Sequence, residues 1–333
     1  MATEIRGLLD TELEAHSDLV HKSYYEYVQA GERPFLADPK WWLKSATADP
    51  YYEPAQTRVM VIDGQLVASV TNYTRQVYAA GRLAKVSCIG SVCTHPDFRK
   101  RGLIRQVLAE SIEWMEREKY DWSSLFGREE VYGGSGWQAL SVLTLSADLR
   151  VREDCGTKVT SRAAEVADIP DLSRVYDAFS GKLTGPIVRS EAYWRNRIMP
   201  GRFGRPGPTY LLLELGGQVI GYYLGGPGAV SEIGWVAEPV EVLAFVLRQC
   251  QAESVHFNCF TSDLVTYLRQ ASYMPSAKAL NEHAGGLTLP ESYKGLWRYI
   301  GPGKGDFPEI TDTQSMLQFL RKGDYVFWPV DSY

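Results

Sequence analysis

The residues best suited to chemistry lie in one continuous run, 92–105, where an apolar strand leads through a proline turn into a basic loop. The loop ends at Gly102, and an amphipathic segment follows from Leu103 to Glu118. The first N–H groups of a helix lack intrahelical partners and carry the positive end of the helix dipole. Basic side chains add full charges, and these are Arg99, Lys100, Arg101 and Arg105. The run therefore predicts a binding site for a phosphate group.

This run resembles the Arg/Gln-x-x-Gly-x-Gly/Ala signature of the GNAT acyltransferases, present here as Arg99-x-x-Gly102-x-Ile104. The branched Ile104 is similar to the residue found in tandem GNAT proteins of the Eis (enhanced intracellular survival) type. The resemblance implies acetyl-CoA as co-substrate, with its pantetheine arm on the strand before the loop and its pyrophosphate on the loop. The implied cofactor-binding residues are Val92, Cys93, Thr94, Arg99, Lys100, Arg101, Gly102, Leu103, Ile104 and Arg105.

The same resemblance implies that Tyr132, in the run Tyr132-Gly-Gly-Ser-Gly136-Trp137, is the general acid that protonates the departing thiolate. A phenol with a pKa near 10 suits a thiolate whose conjugate acid has a pKa of roughly 8.5.

The general base stays open among three candidates. Glu129 and Glu130 lie just before Tyr132, although acidic residues at a helix start also serve as partners of the helix dipole. The third is the C-terminal carboxylate of Tyr333, which the resemblance to the Eis type suggests.

The elements around these residues predict an α+β chain (mixed α/β), built as tandem GNAT folds, each a twisted mixed sheet flanked by helices. In the first half, a helix over 11–30 precedes a hairpin turning at Asp63-Gly64 and an apolar strand over 83–94. A short strand over 122–126 and a last strand over 140–149 follow the helix after the loop.

The same order of elements recurs in the second half without its chemistry. Ala237-Glu238-Pro239-Val240 replaces the basic loop, and Leu268 stands where Tyr132 stood. A glutamate there would repel phosphate. We therefore expect a GNAT domain with the acetyl-CoA site in 1–150, a degenerate GNAT-like domain in 151–281, and an extension over 282–333 that packs back on both.

Composition limits the class of function. The 333 residues carry a net charge of −5, which suggests neither nucleic acid nor an anionic membrane as partner. Five cysteines at irregular spacing fit a reducing cytosol and no metal site, and the amino-terminal residues show no secretory signal. We expect a cytoplasmic protein, with a homo-oligomer left open.

Three functions are compatible with these features. The first is an acetyl-CoA-dependent N-acetyltransferase that transfers acetyl directly, in a ternary complex, to a primary amine of a small molecule. The alternative is a non-catalytic acyl-CoA-binding sensor or regulatory module, and the third is an interaction protein whose basic loop meets an acidic partner. We expect aromatic residues to line the acceptor pocket: Trp41, Trp42, Tyr51 and Tyr52.

Overall fold

Two large mixed β-sheets, each flanked by helices, form the framework of the computed structural model, which describes residues 2–148, 150–201, 206–250, 254–273, 287–322 and 324–331. The predicted α+β fold class, with two mixed sheets, is confirmed. The strands are β1 (Thr3–Gly7), β2 (Thr57–Ile62), β3 (Gln65–Ala79), β4 (Arg82–Thr94), β5 (Trp122–Leu125), β6 (Gln138–Leu143), β7 (Leu145–Asp148), β8 (Arg150–Val151), β9 (Thr160–Ala163), β10 (Thr184–Ile187), β11 (Leu211–Leu215), β12 (Gln218–Gly226), β13 (Ala229–Trp235), β14 (Ser254–Phe257), β15 (Ser272–Tyr273), β16 (Leu287–Thr288) and β17 (Glu291–Tyr299). The helices are α1 (Leu13–Gln29), α2 (Trp41–Ala48), α3 (Leu103–Arg117), α4 (Glu129–Tyr132), α5 (Ile169–Ser180), α6 (Glu191–Tyr193), α7 (Pro239–Cys250), α8 (Ser262–Ala271) and α9 (Thr313–Lys322).

The first sheet has the order β1-β2-β3-β4-β5-β17-β6, and β10 adds to the far end of β3. Side chains alternate between its two faces, as the pleat of a strand requires. Val59 and Val61 of β2 pack with the side chains of α1 and α2, whereas Met60 packs with α3 on the opposite face. Helices therefore cover both faces of this sheet, and the loop before α3 comes out at the carboxyl end of β4.

The second sheet has the order β9-β11-β12-β13-β14-β7-β16. Its core is built with α5, α7 and α8, whose buried faces carry closely spaced apolar residues such as Leu172, Val242 and Leu264. The hairpin of β11 and β12 and the helix α8 lie where the repeat in the sequence predicted them.

The two sheets exchange one strand with each other. β6 belongs to the first sheet, but β7 begins only two residues later and pairs with β14 in the second. In return, β16 belongs to the second sheet, and β17 enters the first between β5 and β6. Both sheets then show the same spatial order. In the first sheet the strand next to β5 is β17, and in the second sheet the strand next to β14 is β7, so each of these strands comes from the other part of the chain.

The exchange corrects the single strand predicted over 140–149. The strand breaks at Thr144, whose N–H and hydroxyl both donate to the carbonyl of Pro290, at 2.9 and 3.1 Å. The chain thus passes from one sheet to the other at Thr144 and again at Pro290, and the two hydrogen bonds hold these two points next to each other. The division into 1–150, 151–281 and 282–333 stays a prediction, but the sheets do not follow those boundaries.

The carboxyl-terminal residues pack into the second half. Val326 and Trp328 lie in its apolar core. The buried carboxylate of Asp331 accepts from the guanidinium of Arg189 at 2.8 and 3.1 Å, and Arg189 also donates to Glu232. An unpaired charge at this depth would be costly, so this three-residue cluster holds Asp331 firmly in the second half.

Candidate active site

The first sheet opens at the carboxyl end of β4. Parallel pairing between β4 and β5 ends at Ile89 and Leu125, whereas β4 continues to Thr94 along β3. The register between β3 and β4 also shifts there, and Ser91 adopts a left-handed φ of 48°. Such a bulge turns a strand away from its neighbour. Beyond Ile89 one side of β4 therefore faces a gap between two strands.

The three predicted residues of β4 contribute mainly their backbone. The carbonyl of Val92 accepts from the hydroxyl of Tyr24 at 2.6 Å, which occupies one of its two lone pairs. Thr94 pairs with β3. The Cys93 thiol lies 3.1 Å from the hydroxyl of Ser69 in the core, where burial raises its pKa to about 11. It is therefore protonated at neutral pH.

The basic loop has the backbone of an anion site. A short 3₁₀ turn, Pro96–Phe98, leads into Lys100 and Gly102, which have φ values of 63° and 73°. α3 begins at Leu103. Apart from its chain neighbours and the backbone of the following helix, no atom of the described residues lies within 4 Å of the position that a Gly102 Cβ would take, so the loop surface is open there. The backbone N–H groups of the first turn of α3 have no partner within the helix, so they are available to an anion at this loop.

Arg99 is engaged by the protein itself. Its guanidinium donates to a carboxylate oxygen of Glu26 at 3.1 Å and to the carbonyl of Ser23 at 2.6 Å, both on α1. We expected four cationic side chains around one phosphate. Arg99 instead fastens the loop to α1, and its charge is partly neutralised by Glu26.

The other cations are more open. Arg101 donates to the carbonyl of Asp97 at 2.9 Å, and its guanidinium lies 4.9 Å from the centre of the Phe98 ring. Lys100 in the loop and Arg105 in the first turn of α3 are also exposed, and neither side chain has a hydrogen bond or ion pair within the described residues. These two side chains are therefore the most available to a phosphate, with the exposed Arg101 beside them.

The hydrophobic side chains of the site converge on one core. Leu103 and Ile104 open α3 with half-buried side chains that pack in the same cluster as Val92 and Tyr132. The strand, the loop and the tyrosine are thus joined through shared apolar contacts. Leu103 and Ile104 can offer a ligand their backbone N–H groups rather than their side chains.

Tyr132 ends the short helix α4, directly after β5. Its half-buried ring makes an edge contact with Trp137 at 6.5 Å between centres, and a Cβ on Gly127 would lie 2.5 Å from the ring. Burial raises the pKa of Tyr132, and the charge of Arg128 opposes that rise less strongly. Within the described ranges, the hydroxyl makes no hydrogen bond to the protein. The raised pKa keeps this phenol protonated at neutral pH.

Glu129 and Glu130 occupy the exposed first turn of α4. Glu129 lies close enough to Tyr293 of β17 to help raise the pKa of that tyrosine, after the larger effect of burial. The hydroxyl of Tyr293 lies 3.5 Å from the carbonyl of Gly127. β17 therefore brings residues of the C-terminal extension to the edge where Tyr132 stands.

The remaining candidates are placed as follows. Tyr333 lies outside the described residues. Trp42 is only 1% exposed and packs 4.1 Å from the ring of His16, so it is a core residue rather than a pocket wall. Tyr51 and Tyr52 are held by hydrogen bonds, the former to the carbonyl of Val188.

Sequence reasoning missed Tyr24, Glu26 and Gly127. Tyr24 lies between Val20 and Val28 on the apolar stripe of α1, and a tyrosine in such a stripe usually finds a hydrogen-bond partner at its tip. That signal could have indicated Tyr24, although not Val92 as its acceptor. Nothing in the local sequence indicates the contact of Glu26 with the loop.

The corresponding region of the second half has different chemistry. Glu238 has a left-handed φ of 49° and is exposed immediately before α7, which begins at Pro239. Leu268, in the position matching Tyr132 by sequence, is fully buried in the core. Neither the charge nor the proton donor of the first half is present at these two positions.

Three further observations concern the described ranges. Their five cysteines are all buried and unpaired. No three or more His, Cys, Asp or Glu side chains gather there in a way that could hold a metal ion. No helix in them is both long and apolar enough to cross a bilayer.

Comparison with known proteins agrees with this geometry. Residues 4–140 match the protein family described as Acetyltransferase (GNAT) domain. No curated protein matches the sequence. A probable N-acyltransferase from Enterococcus faecalis V583 is similar in structure, with 15% identity, a TM-score of 0.63, and 90% of this chain and 73% of that chain covered.

Two other solved structures are similar over the same extent. A GCN5-related N-acetyltransferase from Anabaena variabilis ATCC 29413 shares 11% identity, with a TM-score of 0.60 and coverage of 90% and 73%. Eis1 from Mycobacterium abscessus shares 12% identity, with a TM-score of 0.58 and coverage of 90% and 74%. At these identities the likeness concerns the fold. The predicted resemblance is confirmed over residues 4–140, which match the GNAT acetyltransferase domain. This match supports an acyltransferase, and the fold is shared with an Eis protein.

Proposed function

We propose that the chain transfers acetyl from acetyl-CoA to a primary amine of a small molecule, by direct transfer within a ternary complex. The observation that carries the proposal is the gap between β4 and β5, bordered by the basic loop on one side and by Tyr132 on the other. An acyl donor with a phosphate-bearing arm suits this arrangement. Its phosphate would bind the basic loop while its thioester lies near Tyr132, and both sites are at the same edge of the sheet.

The pyrophosphate of the co-substrate would lie on the loop before α3. The N–H groups of Gly102, Leu103 and Ile104 would bind it together with the helix dipole, and Lys100 and Arg105 would add charge. The open space beside Gly102 supports this fit, since a larger residue would stand where a phosphate must approach. The backbone of β4 beyond Ser91 would hold the pantetheine arm.

Bound acetyl-CoA would supply the acyl group as a thioester. In the transfer the carbon–sulfur bond breaks and a carbon–nitrogen bond forms. Tyr132 would donate its proton to the departing sulfur, and its raised pKa keeps the phenol protonated until that moment. The only cysteine on this part of β4, Cys93, is buried and protonated, which favours direct transfer over an acyl-cysteine.

The amine must lose a proton before or during attack. Glu129 and Glu130 stay candidates for that role through water, together with the C-terminal carboxylate of Tyr333. The exposed carboxylates of Glu129 and Glu130 at the start of α4 would also favour a cationic acceptor approaching from solvent. A net charge of −5 supports a small amine rather than nucleic acid as partner.

A thiol-release assay with acetyl-CoA and a panel of amines tests the proposal. Tyr132→Phe should lower kcat by about 10²-fold and leave coenzyme A binding nearly unchanged, because only proton delivery is lost. Tyr273→Phe removes the hydroxyl of an exposed tyrosine in the second half and should have no effect. Full turnover by Tyr132→Phe would refute the acid role. Tight coenzyme A binding without turnover of any amine would favour the sensor instead.

A further inference from the structure

The second half keeps an opening in its sheet at the place that corresponds to the gap in the first. Within the described residues, β13 and β14 pair in parallel at Ala229 with His256 and at Val230 with Phe257, and β13 then continues to Trp235 along β12. A cavity of about 270 Å³ lies beyond this point, between the beginnings of α7 and α8. The fold has therefore retained a pocket there although the phosphate loop is absent.

Aromatic rings form one wall of this cavity. Trp235 stands between Phe179 and Tyr267, with ring centres 4.4 Å and 6.1 Å apart and edge-to-face angles of 63° and 88°. Phe179 is buried, whereas Trp235 and Tyr267 keep part of their surface accessible. Aromatic faces carry negative electrostatic potential and attract cations that come within about 6 Å.

Carboxylates form the other side. Asp263 comes from the first turn of α8, and Asp324 reaches the cavity from the C-terminal segment. Burial and the neighbouring Asp263 both act on Asp324, raising its pKa. Two acidic groups that disfavour each other in this way would gain from a cation placed between them.

One lining cation opposes this charge. Lys182 is exposed and ends a flexible stem, so its ammonium can extend into solvent. Glu238 is exposed in the loop that also supplies the lining residues Val236 and Pro239. The lining thus holds two carboxylates against one cation, and it lacks the basic loop of the first half.

We propose that this cavity, lined by Phe179, Trp235, Tyr267, Asp263 and Asp324, is a binding site for a small organic ammonium ion. The rings would contact the substituents on nitrogen, and the carboxylates would balance the charge. The site is separate from the acyl-transfer site, and no residue with a role in proton transfer lines it. The second half would thus bind a ligand different from the one proposed for the first half.

Calorimetry on the full chain tests the proposal with choline as the probe and 3,3-dimethylbutan-1-ol, its uncharged isostere, as the comparison. Choline should bind saturably and at least about tenfold more tightly than the alcohol, because only the cation interacts with the rings and carboxylates. Asp263→Asn should weaken choline binding about two- to fivefold, whereas Lys182→Gln should strengthen it by a similar factor. Both positions are exposed, and a general loss of folding could not weaken binding in one variant and strengthen it in the other.

Glu153→Gln, which neutralises an exposed carboxylate elsewhere in the second half, is the matched control and should leave affinity unchanged. Trp235→Leu should abolish binding, and its circular dichroism and melting curve would report whether the fold survives. Absence of saturable choline binding overturns the proposal. So does equal affinity for the alcohol, or an equal loss with Glu153→Gln.

Discussion

At the scale of single residues, the site depends on which groups the protein leaves without a partner. The hydroxyl of Tyr132 makes no hydrogen bond in the described part of the chain, whereas the nearby carbonyl of Val92 accepts from Tyr24. A general acid must be free to reach the reacting atom, and a strand that guides a ligand must be held still. The sequence indicated Tyr132, but the bond that holds Val92 joins residues 68 positions apart.

Gly127 offers a sharp test of the position of Tyr132. Gly127→Ala would place a methyl group 2.5 Å from the tyrosine ring, so the ring must move. We expect kcat to fall by about 10-fold to 10²-fold, with little change in coenzyme A affinity. A displacement of the ring by about 1 Å is enough to disrupt proton delivery. Steady-state kinetics and calorimetry measure the two quantities.

Gly134→Ala is the matched control, since that glycine lies on the other side of α4, two residues after Tyr132, and has open space around it. It should retain normal kcat. Equal losses in both variants would mean that a general effect of alanine near α4, and not displacement of the Tyr132 ring, lowers the rate.

At the scale of elements, the proposed anion site combines a loop with the start of a helix. The sequence could predict this local backbone because the turn, the left-handed Gly102 and the first turn of α3 are contiguous. It could not predict that Arg99 would turn towards Glu26 on α1, because that contact depends on how α1 packs across the sheet. Which of the four cations meet a phosphate stays a prediction.

If the loop binds a phosphate as proposed, Lys100 and Arg105 should carry much of the electrostatic attraction, because both are exposed and lack an ion pair within the described residues. Replacing both Lys100 and Arg105 with glutamine should weaken coenzyme A binding by about tenfold at low salt and reduce its salt dependence, since exposed charges are screened. Calorimetry at several ionic strengths measures both effects. The matched control neutralises Lys119, at the other end of α3, together with the exposed Arg269. An equal loss there would show that overall charge, and not the loop, attracts the ligand.

At the scale of the whole molecule, the two halves cannot be separated along the chain. β17 supplies the strand between β5 and β6, and β7 leaves the first half for the second. β17 also brings Tyr293 next to Glu129. A strand in the middle of a sheet satisfies hydrogen-bonding groups on both sides, so its loss exposes two edges.

We expect a fragment of residues 1–150 to lack a cooperative thermal transition and to bind coenzyme A poorly. Appending residues 291–299 after β6 through a flexible linker should restore both properties in part, because the missing strand is then supplied. Calorimetric melting of the fragment, the extended fragment and the full chain gives the comparison. A scrambled version of the appended strand is the control. Cooperative unfolding of the 1–150 fragment alone would contradict the exchange.

The sequence by itself determined the parts whose chemistry is contiguous: the basic loop before α3, the tyrosine after β5, and the loss of both features in the second half. Those signals survive because turns, helix starts and charge patterns depend on neighbouring residues. Tertiary structure alone decided the strand exchange at Thr144 and Pro290, the engagement of Arg99 and Val92, and the aromatic pocket around Trp235. Each of these joins segments far apart in the chain, and only packing brings such segments together.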